Sequence, residues 1–316
     1  MAALSNLLFV VSLVTYLAAV IAFAAAHALR GMQRSRQSTL VPAGASAALP
    51  PPEASAPTRV ITHERAAVGA VVAMAVAALA QAGCLVTRAA AAGRVPWGNM
   101  YEFIVALTLV GTTAWLALAA RRRELRPLGL YVAVGAVILL GVAGLRVYTP
   151  AGPLVPALQS VWLAVHVSAA AIASGLFLLG FLAAVALLLR ARYDSRGAGR
   201  PAGLRDTLAI RLPAVQSLRR ISFRLHATGF LVWTFAVMAG AVWAEASWGR
   251  YWGWDPKETW AFISWVVYAA YLHAQATASV RVTTGAWLAV AGWATMVFNL
   301  FAVNLVISGL HSYAGA

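Results

Sequence analysis

Uninterrupted apolar stretches of about twenty residues recur along this chain, and they limit its fold more than any other feature. An apolar run of about 18 or more residues, rising about 1.5 Å per residue as a helix, is long enough to cross a hydrocarbon layer of about 30 Å. Eight such spans are read: 4–29, 66–87, 99–120, 127–147, 159–190, 223–244, 258–280 and 286–308. Composition excludes a soluble alternative. Charged residues make up 10% of the chain and hydrophobic ones 62%, whereas soluble domains carry about 25% charged residues. Inside a bilayer a helix satisfies its own backbone, so the expected class is an all-α polytopic membrane protein.

The basic residues then set the orientation. Of 24 Lys and Arg residues, 19 fall in 30–65, 121–126, 190–224 and 281–285, and five in 88–98, 146–160 and 245–257. The first group is expected on the cytoplasmic side, which puts both termini and the second group outside a cell (inner) membrane. The net charge of +15 is thereby explained without nucleic acid, because the cations lie in short clusters between spans.

Four units follow along the chain. Residues 1–29 form a first span, expected to be retained because no basic residue precedes Arg30. Residues 30–65, rich in Ser, Pro, Ala and Arg, read as a flexible cytoplasmic loop; 66–147 hold spans two to four; 148–316 hold spans five to eight and a tryptophan-rich loop at 243–260. The Arg-rich segment 191–222 is expected to be amphipathic or irregular. The single cysteine, Cys84, lies in an apolar run, which leaves no Cys-x-x-Cys pair and suits a small core residue.

The loop carries the chemistry. Five of the twelve tryptophans lie within the eighteen residues Trp243 to Trp260, including Trp248, Trp252 and Trp254, with Tyr251, Arg250, Asp255 and Lys257 among them. An interfacial aromatic belt is one reading. A belt would spread over all spans and both faces, and would not need Gly249 and Gly253 punctuating the run. A stacking platform for a flat, largely apolar ligand fits better, with indole N–H groups available to donate and Arg250 and Lys257 available to neutralise carboxylates on its rim. Asp255 before Pro256 also has the form of a helix N-cap followed by proline at the first helical position, so a structural role for Asp255 stays open.

The run WGRYWGWDPKETWAFISW resembles the tryptophan-rich signature of the haem-handling cytochrome c maturation proteins. Its Asp-Pro-Lys-Glu-Thr-Trp ending is similar to the CcsA/ResC branch, while the CcmC and CcmF branches carry other endings. The segment Pro96-Trp97-Gly98-Asn99-Met100-Tyr101-Glu102 resembles another family element, in which Asn99 would serve as N-cap or as a haem contact. His166, in the run Trp162 to Ser168, and His311, in Gly309-Leu310-His311-Ser312-Tyr313, are similar to the family's two external histidines.

The six histidines are His27, His63, His166, His226, His273 and His311. His166 and His311 flank the face that carries the aromatic loop, and two neutral imidazoles suit bis-axial ligation of haem iron. His273 lies in the inner half of its span, where an ionisable group is a functional candidate. It is similar to the family's transmembrane histidine, which the resemblance would pair with a ligand from a CcsB/ResB-type partner. His27 and His226 are local alternatives for that second ligand, with snorkelling at the cytoplasmic interface the favoured reading for both, and His63 is expected to be solvated.

The resemblance implies haem b held outside the membrane by His166 and His311 against the tryptophans, and attached to the Cys-x-x-Cys-His segment of apocytochrome c together with that partner. This would be the core of a holocytochrome c synthase complex. A haem exporter without attachment activity and a b-type electron-transfer subunit are the alternatives. No nucleophile triad, phosphate loop or HExxH run is present to support hydrolysis or nucleotide use.

Overall fold

The computed structural model describes residues 1–39, 57–153, 158–196, 204–307 and 309–311. All regular structure among them is helical. The helices are α1 (Ala2–Thr39), α2 (Pro57–Ala92), α3 (Met100–Arg121), α4 (Gly129–Arg146), α5 (Val161–Asp194), α6 (Leu204–Ala209), α7 (Val215–Trp248), α8 (Pro256–Ala276) and α9 (Val282–Val297). A 3₁₀ turn, Arg123–Leu128, joins α3 to α4. Beyond α9 the chain widens into a π-helical turn, Phe298–Ala302, before a last helical turn, Val303–Leu305.

Seven of these helical stretches are long and apolar enough to cross a membrane. The eighth expected span corresponds to α8, whose 21 residues suffice in length but include Trp, Tyr, His and Gln side chains that dilute its hydropathy. The segment 191–222 is more regular than its charge suggested. It contains α6, and α7 begins eight residues before the expected 223. Residues 40–56 of the Ser/Pro-rich loop and the side chain of His63 lie outside the described residues.

The helix α5 is the organising element, the most enclosed of the candidate spans, and it packs on α3, α7 and α9. A helix apolar on every side must be surrounded, and small residues on α5 let its neighbours close in. Gly175, for example, meets the backbone of Leu107 on α3 so closely that a methyl group there would stand 2.6 Å from the carbonyl oxygen. The pair α1 and α2 forms a second layer, fastened to α3 by a buried polar chain. In it the Tyr16 hydroxyl donates to Gln81 (2.7 Å), and Gln81 donates to the Val105 carbonyl and to Thr108 (2.7 Å each). Cys84 is buried beside Ser5, as a core residue.

The ends of α3, α5, α7 and α8 that carry Trp97, Ser160, Trp248 and Asp255 meet at one end of the bundle. There Asn99 caps α3 by accepting from the Glu102 amide, and Ser160 caps α5. Buried Glu102 then joins three segments. It accepts from Arg88 on α2 (2.7 Å), from Arg94 (2.9 Å) and from the Gly98 amide (2.7 Å), while Arg88 and Arg94 donate to the carbonyls of Thr149 and Gly152. Removing one partner of a buried ion pair leaves the other charge unmatched, at a cost of roughly 3–5 kcal/mol. The isosteric Glu102→Gln substitution is therefore expected to lower the thermal unfolding midpoint of the detergent-solubilised protein by several degrees. An unchanged midpoint would show that this triad does not fasten the end of the bundle.

Candidate functional site

The aromatic loop is shaped by two carboxylates. The helix α7 stops at Gly249, whose left-handed backbone (φ 70°) closes the helix with its N–H on the Glu245 carbonyl. Pro256 opens α8 behind Asp255, and Asp255 and Glu258 form a reciprocal capping box. Glu258 reaches back to accept from the amides of Gly253 (2.8 Å) and Asp255 (3.1 Å), and it pairs with Arg250 at 3.4 Å. Trp254 pays for the tightness of this turn with a left-handed φ of 58°, a strained state for a bulky side chain.

Asp255 does more than cap. One carboxylate oxygen accepts from the Leu310 amide (2.8 Å), and the other from His311 Nδ1 (2.9 Å) and the Lys257 amide (3.2 Å). Burial alone would raise its pKa, but the bonds from His311 and Leu310 outweigh it and hold the carboxyl down at about 2. Because the carboxylate is ionised, His311 Nδ1 is the donor, and in the neutral tautomer that this bond selects Nε2 is the ring atom that carries the lone pair.

His166 is oriented in the same way from a different direction. It lies in the second turn of α5, and its Nδ1 is 2.8 Å from the Ala236 carbonyl on α7. A carbonyl can only accept, so Nδ1 carries the proton and Nε2 keeps the lone pair. Gly240 makes the contact possible, since a Cβ there would stand 2.7 Å from that ring nitrogen. Both imidazoles pack on the buried Trp243, His166 nearly parallel at 5.9 Å and 11°, His311 steeply inclined at 5.7 Å and 65°.

Two cavities meet at these rings. The inner one, with the space at its mouth, takes in about 1100 Å³ and is mostly apolar, with Phe103, Leu107, Trp233, Trp293 and Met296 on its walls. The outer one, likewise partly open, takes in about 480 Å³ and is bordered by Trp248, Tyr251 and Trp252. His166, His311, Trp243 and Lys257 line both. Lys257 is steered inward by the π-turn. There the Val303 amide bonds Phe298 rather than Asn299, and the Asn299 carbonyl accepts from Lys257 Nζ at 3.0 Å.

Of the residues singled out from sequence, the structure therefore brings His166, His311, Trp248, Tyr251, Trp252 and Lys257 to the cavities, with Asp255 one hydrogen bond behind. Arg250 is engaged by Glu258 instead. Trp254 lines neither cavity; it is 66% exposed and stands edge-on to Trp252 and Phe262. His273 is exposed on α8, away from both cavities. His226 corrects its expectation. It does not snorkel but is fully buried, Nδ1 on the Ser222 carbonyl (2.7 Å) and the ring packed among Phe177, Tyr268 and Tyr271. His27 is half-buried, bonded to the Phe23 carbonyl. Asn99 fulfils its capping role and also lines the inner cavity. Trp233, Gly240, Trp243 and Trp293 complete the site beyond the residues expected from sequence. The spacing Trp233, Val237, Gly240, Ala244, Trp248 marks one face of α7 and signals Trp233 and Gly240.

Residues 97–311 match the model of the cytochrome c assembly protein family. The chain belongs to that family. Among curated relatives, the cytochrome c biogenesis protein CcsA of Synechococcus elongatus is 35% identical over 281 residues, covering 76% of this chain and 85% of the relative. CcsA of Atropa belladonna is 34% identical over 252 residues, covering 73% and 80%. Among solved structures, the cytochrome c haem lyase CcmF shares the fold at a TM-score of 0.53 and 20% identity, over 96% of this chain and 50% of that one. The family match takes in both cavity histidines and the aromatic loop.

The depressed pKa of Asp255 fixes a pH dependence. A carboxyl lowered on folding contributes stability above its unfolded value, near 4, and loses it as pH falls toward about 2. Proteolytic protection of the segment around His311 is therefore expected to persist from neutral pH to about pH 4 and to fade below it. Asp255→Asn should lack that protection already at pH 7. Equal protection in both proteins would show that the Asp255 contacts do not hold the segment.

Proposed function

We propose that this chain works in cytochrome c maturation by holding haem at the aromatic end of the bundle, between His166 and His311, for covalent attachment to apocytochrome c. The observation that carries the reading is the pairing of two imidazoles with fixed tautomers. Each has Nδ1 committed to an acceptor, Ala236 or Asp255, and each borders the same two cavities. Outer-shell bonds of this kind orient metal-binding histidines and raise their basicity. The cavity chemistry suits haem b as the cargo, with large apolar walls for the macrocycle and Lys257 as the cation for a carboxylate edge.

Bound haem supplies vinyl groups, across which the thiols of a Cys-x-x-Cys-His segment add to give thioethers. The protein's share is to grip, orient and exclude water. On the positive-inside reading the site faces outward from the cell membrane, and exposed Tyr251 borders it, with exposed Trp254 beside Trp252, for an apocytochrome chain. The exposed His273 on α8 suits haem in transit, sharing its second ligand with a CcsB/ResB-type membrane partner. The chain would then be the core of a holocytochrome c synthase. The electron-carrier alternative gains nothing from His226, which borders neither cavity and is enclosed by aromatic rings.

The test is the visible spectrum of the protein purified from haem-replete cells. A Soret band is expected in the unaltered protein. It should fall sharply in the variant combining His166→Ala and His311→Ala, and return with added imidazole. Gly240→Ala, which crowds His166, is expected to weaken haem retention about fivefold or more, the low end of a typical overpacking cost of about 1–3 kcal/mol borne by the ligating ring. A band indifferent to the double substitution would move the haem to His273 and favour export without attachment.

A further inference from the structure

Trp243 touches both histidines, and its ring angles constrain them together. It lies 11° from the His166 plane and 65° from the His311 plane. The two imidazole planes must therefore be inclined to each other by at least the difference of those angles, 54°. The Nδ1 bonds to the Ala236 carbonyl and to Asp255 fix where each ring sits. The shared contact with Trp243 fixes the angle between their planes. The indole is itself buried, packed with Leu158 and Leu163 and edge-on against Trp248 at 4.8 Å and 63°. Trp243 lines both cavities.

The geometry points to Trp243 as a positioning residue that holds the His166 and His311 imidazoles steeply crossed, so that haem iron gripped by both carries crossed rather than parallel axial planes. This rests on the bis-histidine reading of the site and deepens it. The consequence is electronic. In low-spin ferric haem, parallel imidazole planes both donate π density to the same one of two iron d orbitals, splitting the pair and giving a rhombic paramagnetic spectrum. Crossed planes donate to both orbitals alike, leave them nearly degenerate, and give a highly anisotropic signal with one very large g value. Axial-ligand arrangement and outer-shell contacts are among the levers by which a protein tunes haem iron.

Electron paramagnetic resonance of the full chain, loaded with ferric haem and frozen, tests this. The unaltered protein is expected to show the highly anisotropic low-spin signal, lost in the variant lacking His166 and His311. Trp243→Leu should convert the signal of the haem it retains to a rhombic one, while Trp243→Phe, which keeps a flat ring, should retain the highly anisotropic signal. A rhombic spectrum in the unaltered protein, or an unchanged signal in Trp243→Leu, would overturn the role of Trp243. The first of these needs no variant to fold. If the unaltered protein has no low-spin haem dependent on the histidine pair, the reading of the site falls, and this inference with it.

Discussion

Asp255 is the joint on which the aromatic end of this protein turns. Its carboxylate caps α8, accepts from the Leu310 amide and holds His311 by Nδ1. The start of α8 and the segment around His311, more than fifty residues apart in sequence, are thus registered by one charged group. Hydrogen bonds to an ionised acceptor are roughly twice as strong as neutral ones, and this one lies at a helix N-terminus, where the dipole favours negative charge. Glu258 repeats the device one turn on, gathering Gly253 and Arg250. The loop tryptophans owe their arrangement to this polar scaffold, which is why one of them accepts a left-handed backbone.

Around that joint the bundle offers few polar groups, so each is placed with consequence. The Ala236 carbonyl accepts from His166 only because Gly240 leaves room beside it. The Asn299 carbonyl accepts from Lys257 only because the π-turn redirects the Val303 amide to Phe298. In both cases a backbone acceptor inside an apolar helix serves a side chain from a neighbouring helix. Such contacts need close helix approach, which α5 and its small residues provide.

Much of the architecture was legible in the sequence. The spans followed from apolar length, and the caps at Asn99 and Asp255 followed from residue type and the proline after Asp255. Legibility faded where charge or polarity acted through tertiary contacts. Arg250 read as a ligand cation but is answered by Glu258. His226 read as interfacial by its position near a helix end, yet α7 extends further and α5 and α8 enclose it. Trp254 belonged to the tryptophan run, and the turn directs it outward.

The sequence by itself determined what must be embedded, where helices begin, and which residue types could meet a flat, metal-bearing ligand, because these depend on local length, periodicity and capping chemistry. Only the tertiary structure decided that His166 and His311 share one indole, that Trp233 and Trp293 rather than Trp254 line the deep cavity, and that the two imidazole planes cross. Those outcomes depend on how helices far apart in the chain rotate and close against one another. That is fixed by the packing of the whole bundle, and no local stretch of sequence carries it.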